Sequence, residues 1–216
     1  MEQDEIMRIL REATAPVEGA QPTALPDLPP EAMHTLLHPE GSDPESLWLC
    51  FCNRFAAVNG RPMTETESCA RFLNEQGCLK GFVAPELSDR LAPALIRAGI
   101  EAENTFDPDR LDDYAFGITW AAGIIAETGT VILKESSTAS RLAALAPWTH
   151  IAVLTKDSRL YPNLMEAIDD LGDDPYVVFA TGPSKTADVE GILIEGVHGP
   201  GEQVCLRLDE TQETGP

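Results

Sequence analysis

The 216-residue chain is 43% hydrophobic and sets 36 acidic against 15 basic residues, a formal net charge of −21. This length and apolar content suit one buried core with a small N-terminal appendage, and the charge excludes nucleic acid and anionic membrane surfaces as partners because both would be repelled. Five cysteines, Cys50, Cys52, Cys69, Cys78 and Cys205, form neither the even framework of a secreted disulfide protein nor the repeated short spacing of a cluster site, so reduced thiols, no bound cofactor and no metal are expected.

The opening residues MEQDEIMRIL lack both a basic start and an apolar signal core. The longest apolar run, around Ala121 to Ala126, is far shorter than the ~20 residues of a membrane-spanning helix, so a cytoplasmic location is expected. Ile6, Ile9 and Leu10 recur at helical period within residues 2–12, and Pro16, Pro22, Pro26, Pro29 and Pro30 then break the pattern. Residues 1–30 therefore read as a helix and a proline-rich linker, with the compact domain at 31–216. His34 and His38 share the spacing of one helical face, but no third ligand accompanies them.

From Asp43 to Val58 a helix is expected, capped by Ser42 or Asp43, with Pro44 in its first turn and an apolar face from Leu47 to Val58. A second spans Thr64 to Gln76 behind a Thr64-x-x-Glu67 capping box, followed by strand Leu79–Ala84, helix Pro85–Ala98 and strand Ile100–Glu103. This alternation predicts an α/β fold with a parallel-rich sheet flanked by helices. Three glycine-punctuated apolar runs, Tyr114–Thr119, Gly123–Glu127 and Thr130–Lys134, predict a β-rich part of the same fold. After them come helix Ser137–Ala146, strand His150–Leu154, helix Tyr161–Leu171, strand Tyr176–Ala180, and strands Gly191–Glu195 and Gln203–Leu208. A phosphate loop, a dinucleotide-binding glycine pattern and a serine-nucleophile elbow are all missing.

Three segments combine glycine, hydroxyls and charge. Glu127-Thr128-Gly129-Thr130 offers a carboxylate and two hydroxyls around a tight turn, though by composition alone it reads first as a plain hairpin turn. Thr181-Gly182-Pro183-Ser184-Lys185-Thr186, running on to Asp188 and Glu190, joins small residues and hydroxyls to a cation that is scarce here. That combination suits a phosphate or carboxylate, and equally reads as a capped turn. Gly196-Val197-His198-Gly199-Pro200-Gly201 holds one histidine, an acid/base or simply a packed loop side chain.

The stretches GITWAAGIIAETGTVIL (117–133), HIAVLTKDSRLYPNLMEAI (150–168) and FATGPSKTADVEGILIEGVHGP (179–200), in this order and spacing, resemble the LUD-domain family of lactate-utilisation protein C. The likeness extends over 79–208; the first sixty residues match weakly, and the proline-rich opening and the Trp48 to Phe55 aromatic helix depart from the pattern. The resemblance implies a fold similar to the glucosamine-6-phosphate deaminase, ribose-5-phosphate isomerase and CoA-transferase group. It also implies an accessory role in oxidising L-lactate to pyruvate, in which the chain binds a small anionic metabolite and docks with an iron–sulfur subunit that supplies the clusters. Carried over residue by residue, it implies Glu127 and His198 at catalytic positions. Thr128, Gly129, Thr130, Thr181, Gly182, Pro183, Ser184, Lys185, Thr186, Asp188 and Glu190 are then implied around the ligand. Two other readings stand beside it: a free-standing sugar-phosphate isomerase or acyl-CoA transferase using Glu127, and a metabolite-binding regulatory module. A homodimer is compatible with all three.

Overall fold

The computed structural model describes Glu5 and residues 43–136, 140–187 and 193–208. The chain divides into two units, Met1–Met33 and His34–Pro216. Within the second unit, with strands numbered in chain order, six form one all-parallel sheet: β1 (Arg61–Met63), β2 (Lys80–Val83), β3 (Glu101–Glu103), β4 (Phe116–Trp120), β7 (Thr149–Leu154) and β12 (Glu202–Arg207). Their order across the sheet is β1-β12-β7-β4-β2-β3. The three central strands are apolar on alternate and intervening positions alike, as burial on both faces requires.

One face packs on helices α2 (Thr66–Glu75) and α3 (Pro85–Arg97), where Phe116, Ile118, Ile151, Val153, Val204 and Leu206 meet Leu73, Leu87 and Leu91. The opposite face, carrying Ala152, Leu154 and Cys205, packs on Trp48, Phe51 and Phe55 of helix α1 (Pro44–Ala57) and on Ile124, Val131 and Leu133 of a second sheet. That sheet runs β8 (Arg159–Tyr161), β5 (Gly123–Ile125), β6 (Thr130–Lys134), β9 (Val177–Ala180). Both β4 and β7 leave the main sheet at their C-terminal ends and continue into it, as β5 and β8. A 3-10 helix at Pro108–Asp113, short helices α4 (Arg141–Leu145) and α5 (Leu164–Asp170) and an antiparallel pair, β10 (Lys185–Ala187) with β11 (Leu193–Glu195), complete the described fold.

The α/β class and the parallel sheet between helices are as the sequence predicts. Several local expectations are corrected. The second helix begins at Thr66 rather than Thr64, and its cap residue Glu65 makes no side-chain cap bond; Glu67 accepts instead from Thr66 and Arg97. Strand β1 contains Pro62, which is tolerated because β1 lies at a sheet edge where one side needs no donor. Tyr161 ends a strand rather than starting a helix, which begins at Leu164 behind the Asn163 cap. Lys185 to Ala187, expected as loop, pairs as β10. The N-terminal helix, the proline-rich linker, His34, His38, residues 137–139, Asp188, Glu190 and residues 191–192 lie outside the described residues. Among the described residues no helix is long and apolar enough to cross a membrane.

Candidate functional site

Helix α1 organises the site. The Asp43 carboxylate starts it by accepting the Glu45 and Ser46 N–H groups. It ends where the Gly60 N–H bonds Phe55 O and the Asn59 N–H bonds Ala56 O, with Asn59 in the left-handed region at φ 70°. This bond pair is the Schellman stop, which tolerates asparagine at its left-handed position.

The three sequence-predicted segments gather around this C-terminal end of α1. Gly129, at φ 65°, lies directly on the helix backbone: a Cβ there would stand 2.6 Å from the Arg54 carbonyl carbon. The Thr128 and Thr130 hydroxyls are 2.7 Å apart, and Thr130 is a further 2.7 Å from Thr181, so a chain of three hydroxyls links the first segment to the second. A Cβ on Gly182 would come 2.7 Å from Val58 O. The Lys185 ammonium donates to that same carbonyl at 3.0 Å and pairs with Glu195 at 3.4 Å. The Asn59 amide, with Lys185 beside it, holds the Glu195 carboxyl below its ordinary value. The second segment joins the third through the Ser184 N–H to Pro200 O and the Gly196 N–H to Ser184 O. Pro183 is buried, Thr186 half-buried and His198 exposed.

The segments therefore do share one location, but their polar groups are largely committed to holding the helix end and one another. Glu127 faces elsewhere: its Oε1 accepts the Leu164 N–H at 2.9 Å and so satisfies an orphan donor in the first turn of α5. This geometry predicts that Glu127→Gln, which keeps an acceptor, changes stability by less than about 0.5 kcal/mol, whereas Glu127→Ala should cost about 1 kcal/mol by loss of a cap bond. Urea unfolding of both variants measures the difference.

Two features give little sign of themselves in the sequence. The first is a buried polar trio across the three central strands: Thr119 Oγ1 lies 2.9 Å from His150 Nε2, and the Gln203 amide lies 2.8 Å from Nδ1. Complete burial pushes the His150 imidazole down to about 4, with the Gln203 bond opposing. A histidine inside the apolar run HIAVL was the available signal, since a buried polar group must find partners. The second is the turn after β7, which brings Lys156 and Arg159 to the border of a cleft. That cleft, of about 490 Å³ and lined also by Leu47, and another of about 380 Å³ at Val83, Ser88 and Glu103 are formed by residues outside all three segments. Among the described residues no group of three or more His, Cys, Asp or Glu is placed to hold a metal ion.

Comparison with known proteins fits this architecture. Residues 86–206 match the LUD domain. Lactate utilization protein C of Oceanobacillus iheyensis is 37% identical over 120 residues, covering 52% of this chain and 50% of the relative. The proteins of the same name from Bacillus velezensis and Bacillus subtilis are 38% and 37% identical over 102 residues, in each case 44% of this chain and 42% of the relative. The chain spans about half the length of the curated relatives it matches. A crystal structure of a DUF162 family protein from Deinococcus radiodurans superposes with a TM-score of 0.54 at 18% identity, covering 78% of this chain and all of that one, and shows the fold. Strands β4 to β11 and all of β12 but its last residue, with the three segments between them, fall inside the matched region, and the chain belongs to the LUD domain family.

Proposed function

We propose that this chain serves lactate utilisation as an accessory component, binding a small anionic metabolite and docking with an iron–sulfur oxidoreductase that carries the redox clusters. The observation that supports it most is the shared name of its relatives: proteins called lactate utilization protein C align at 34–38% identity in eight organisms. The use of Glu127 as a helix-end acceptor weighs against a free-standing isomerase or transferase built on that carboxylate. In the accessory reading the relevant surfaces are for recognition, and the electron transfer belongs to the partner.

The test is affinity purification of the tagged chain from its native host grown on L-lactate, with partners identified by mass spectrometry and iron measured in the eluate. Stoichiometric recovery of an iron-bearing partner is expected. Recovery of the chain alone, with no iron above background, contradicts docking.

A further inference from the structure

The second sheet presents one face to the core beside α1, with Val178 and Ala180 of β9 among its contacts. Helix α5 covers the other face, where Ala167 packs on Ile125 and Ile132. Phe179 alternates with Val178 and is the cross-strand partner of Ile132, so it stands on the α5 face. It is 41% exposed there, because β9 is the edge strand and α5 is centred on β5 and β6.

Polar bonds fix how α5 lies on this face. Tyr161 of β8 donates to Asp170 Oδ2 at 2.6 Å, so the Asp170 side of the helix turns toward β8. Leu164 and Ile168 lie roughly 120–160° around the helix from Asp170, and they therefore turn the other way, toward β9. The helix starts where the Leu164 N–H meets Glu127, at the β5–β6 turn, and ends where Lys134 of β6 donates to Leu171 O at 3.1 Å. It thus runs along β6, and Leu164 and Ile168 sit level with the Ile132–Phe179 pair. Leu164 is 38%, Met165 59% and Ile168 48% exposed. With Phe179 they form a contiguous apolar strip at the sheet edge, the kind of exposed surface that marks an interaction site.

A helix added beside α5 at the usual separation of about 8–10 Å would lie two strand spacings of about 4.8 Å further on, over β9 and Phe179. Charge selects which helix fits. Residues 160–184 contain no lysine or arginine, and Glu166, Asp169, Asp170, Asp173 and Asp174 follow one another along and after α5. The cations that reach the helix, Lys134 and Arg159, act at its Asp170 end, whereas Asp169, one turn beyond Met165, is exposed at the border of the strip. A second copy of this chain would set its own carboxylates against these, and residues 209–216, DETQETGP, carry no apolar side chain to cover the strip. We infer that the α5–β9 strip docks a basic amphipathic helix of a partner protein, its apolar face on Met165, Ile168 and Phe179 and its cations against Asp169 and Asp173. The inference deepens the docking part of the proposed function and rests on that reading for who the partner is.

The probe is a peptide of about 14 residues, leucine on one helical face and lysine on the other, titrated into the full chain and followed by methyl NMR. Saturable binding below about 1 mM is expected, with the Met165 and Ile168 methyl signals shifted most. Met165→Ser combined with Ile168→Ser, and separately Asp169→Lys combined with Asp173→Lys, should each weaken it at least about tenfold. Ile96→Ser, which removes an exposed apolar side chain from α3, should leave it unchanged. Thermal melts of these variants should match wild type, which separates lost binding from lost folding. The proposal is overturned by shifts that map elsewhere, by equal weakening with Ile96→Ser, or by no binding at about 1 mM, the result expected if the chain's own Met1–Met33 segment covers the strip. A wild-type dimer that Ile168→Ser dissociates also overturns it, and assigns the strip to a second copy. In the native host, a wild-type chain that recovers no iron-bearing partner removes the proposed function while the titration still decides the strip. Equal recovery by wild type and the Met165→Ser, Ile168→Ser variant overturns the strip alone.

Discussion

Gly129→Ala is expected to destabilise the protein by about 3 kcal/mol or more. Two costs combine. A side chain at φ 65° loses about 1–2 kcal/mol relative to glycine, and the new methyl group would stand 2.6 Å from a helix carbonyl carbon and 2.8 Å from Arg54 Cβ. Overpacking of that kind adds about 1–3 kcal/mol. The obstacle is backbone, so no side-chain rotation relieves it; either α1 or the β5–β6 turn must move. Because α1 anchors Phe51 and Phe55, both fully buried, displacement should reach the core. Denaturant midpoints decide the matter: a loss below about 1 kcal/mol would mean that the turn is not pressed against the helix.

The second large effect is acid destabilisation through His150. Its folded value lies near 4, below the ordinary 6.5, so folding favours the neutral ring. Above pH 6.5 both folded and unfolded chains carry neutral imidazole and the contribution is complete. As pH falls from 6.5 toward 4, the unfolded chain takes up a proton that the folded chain refuses, and stability drops by up to about 3 kcal/mol. Glu195 and Glu103 are also held below their ordinary 4.5, but they cost stability only further down, as pH falls through their folded values. The interval from pH 6.5 to 5 therefore reports on His150. Urea midpoints across it should fall, and the His150 ring signals in NMR should stay those of neutral imidazole at pH 5.5. A ring that titrates near 6.5 would refute the account of this trio.

Much of the architecture was legible because periodicity and punctuation agreed. Asp43-Pro44 announced the start of α1, the α2–β2–α3–β3 alternation announced parallel pairing, and the apolar run at 150–154 announced a central strand. What escaped was decided by tertiary context. Arg61–Met63 is three residues long with a proline, and it becomes a strand only because β12 is there to pair with it. Lys185–Ala187 reads as an anion loop until β11 is placed beside it. The same limit governed the site. Sequence spacing brought Glu127, Lys185 and His198 forward as residues of suitable chemistry, and the fold does gather their segments. It could not show that Val58 O and Glu195 would take up Lys185, or that the Leu164 N–H would take up Glu127. Nor could it show that Lys156 and Arg159, unremarkable in the string TKDSR, would border a cleft beside Pro44 and Leu47 of α1.

The most direct test of a role in lactate utilisation is growth of the native host on L-lactate as sole carbon source after clean deletion of this chain. Failure to grow on lactate, normal growth on pyruvate, and rescue by the wild-type chain and by Glu127→Gln are predicted. Undiminished growth of the deletion strain on lactate would contradict it.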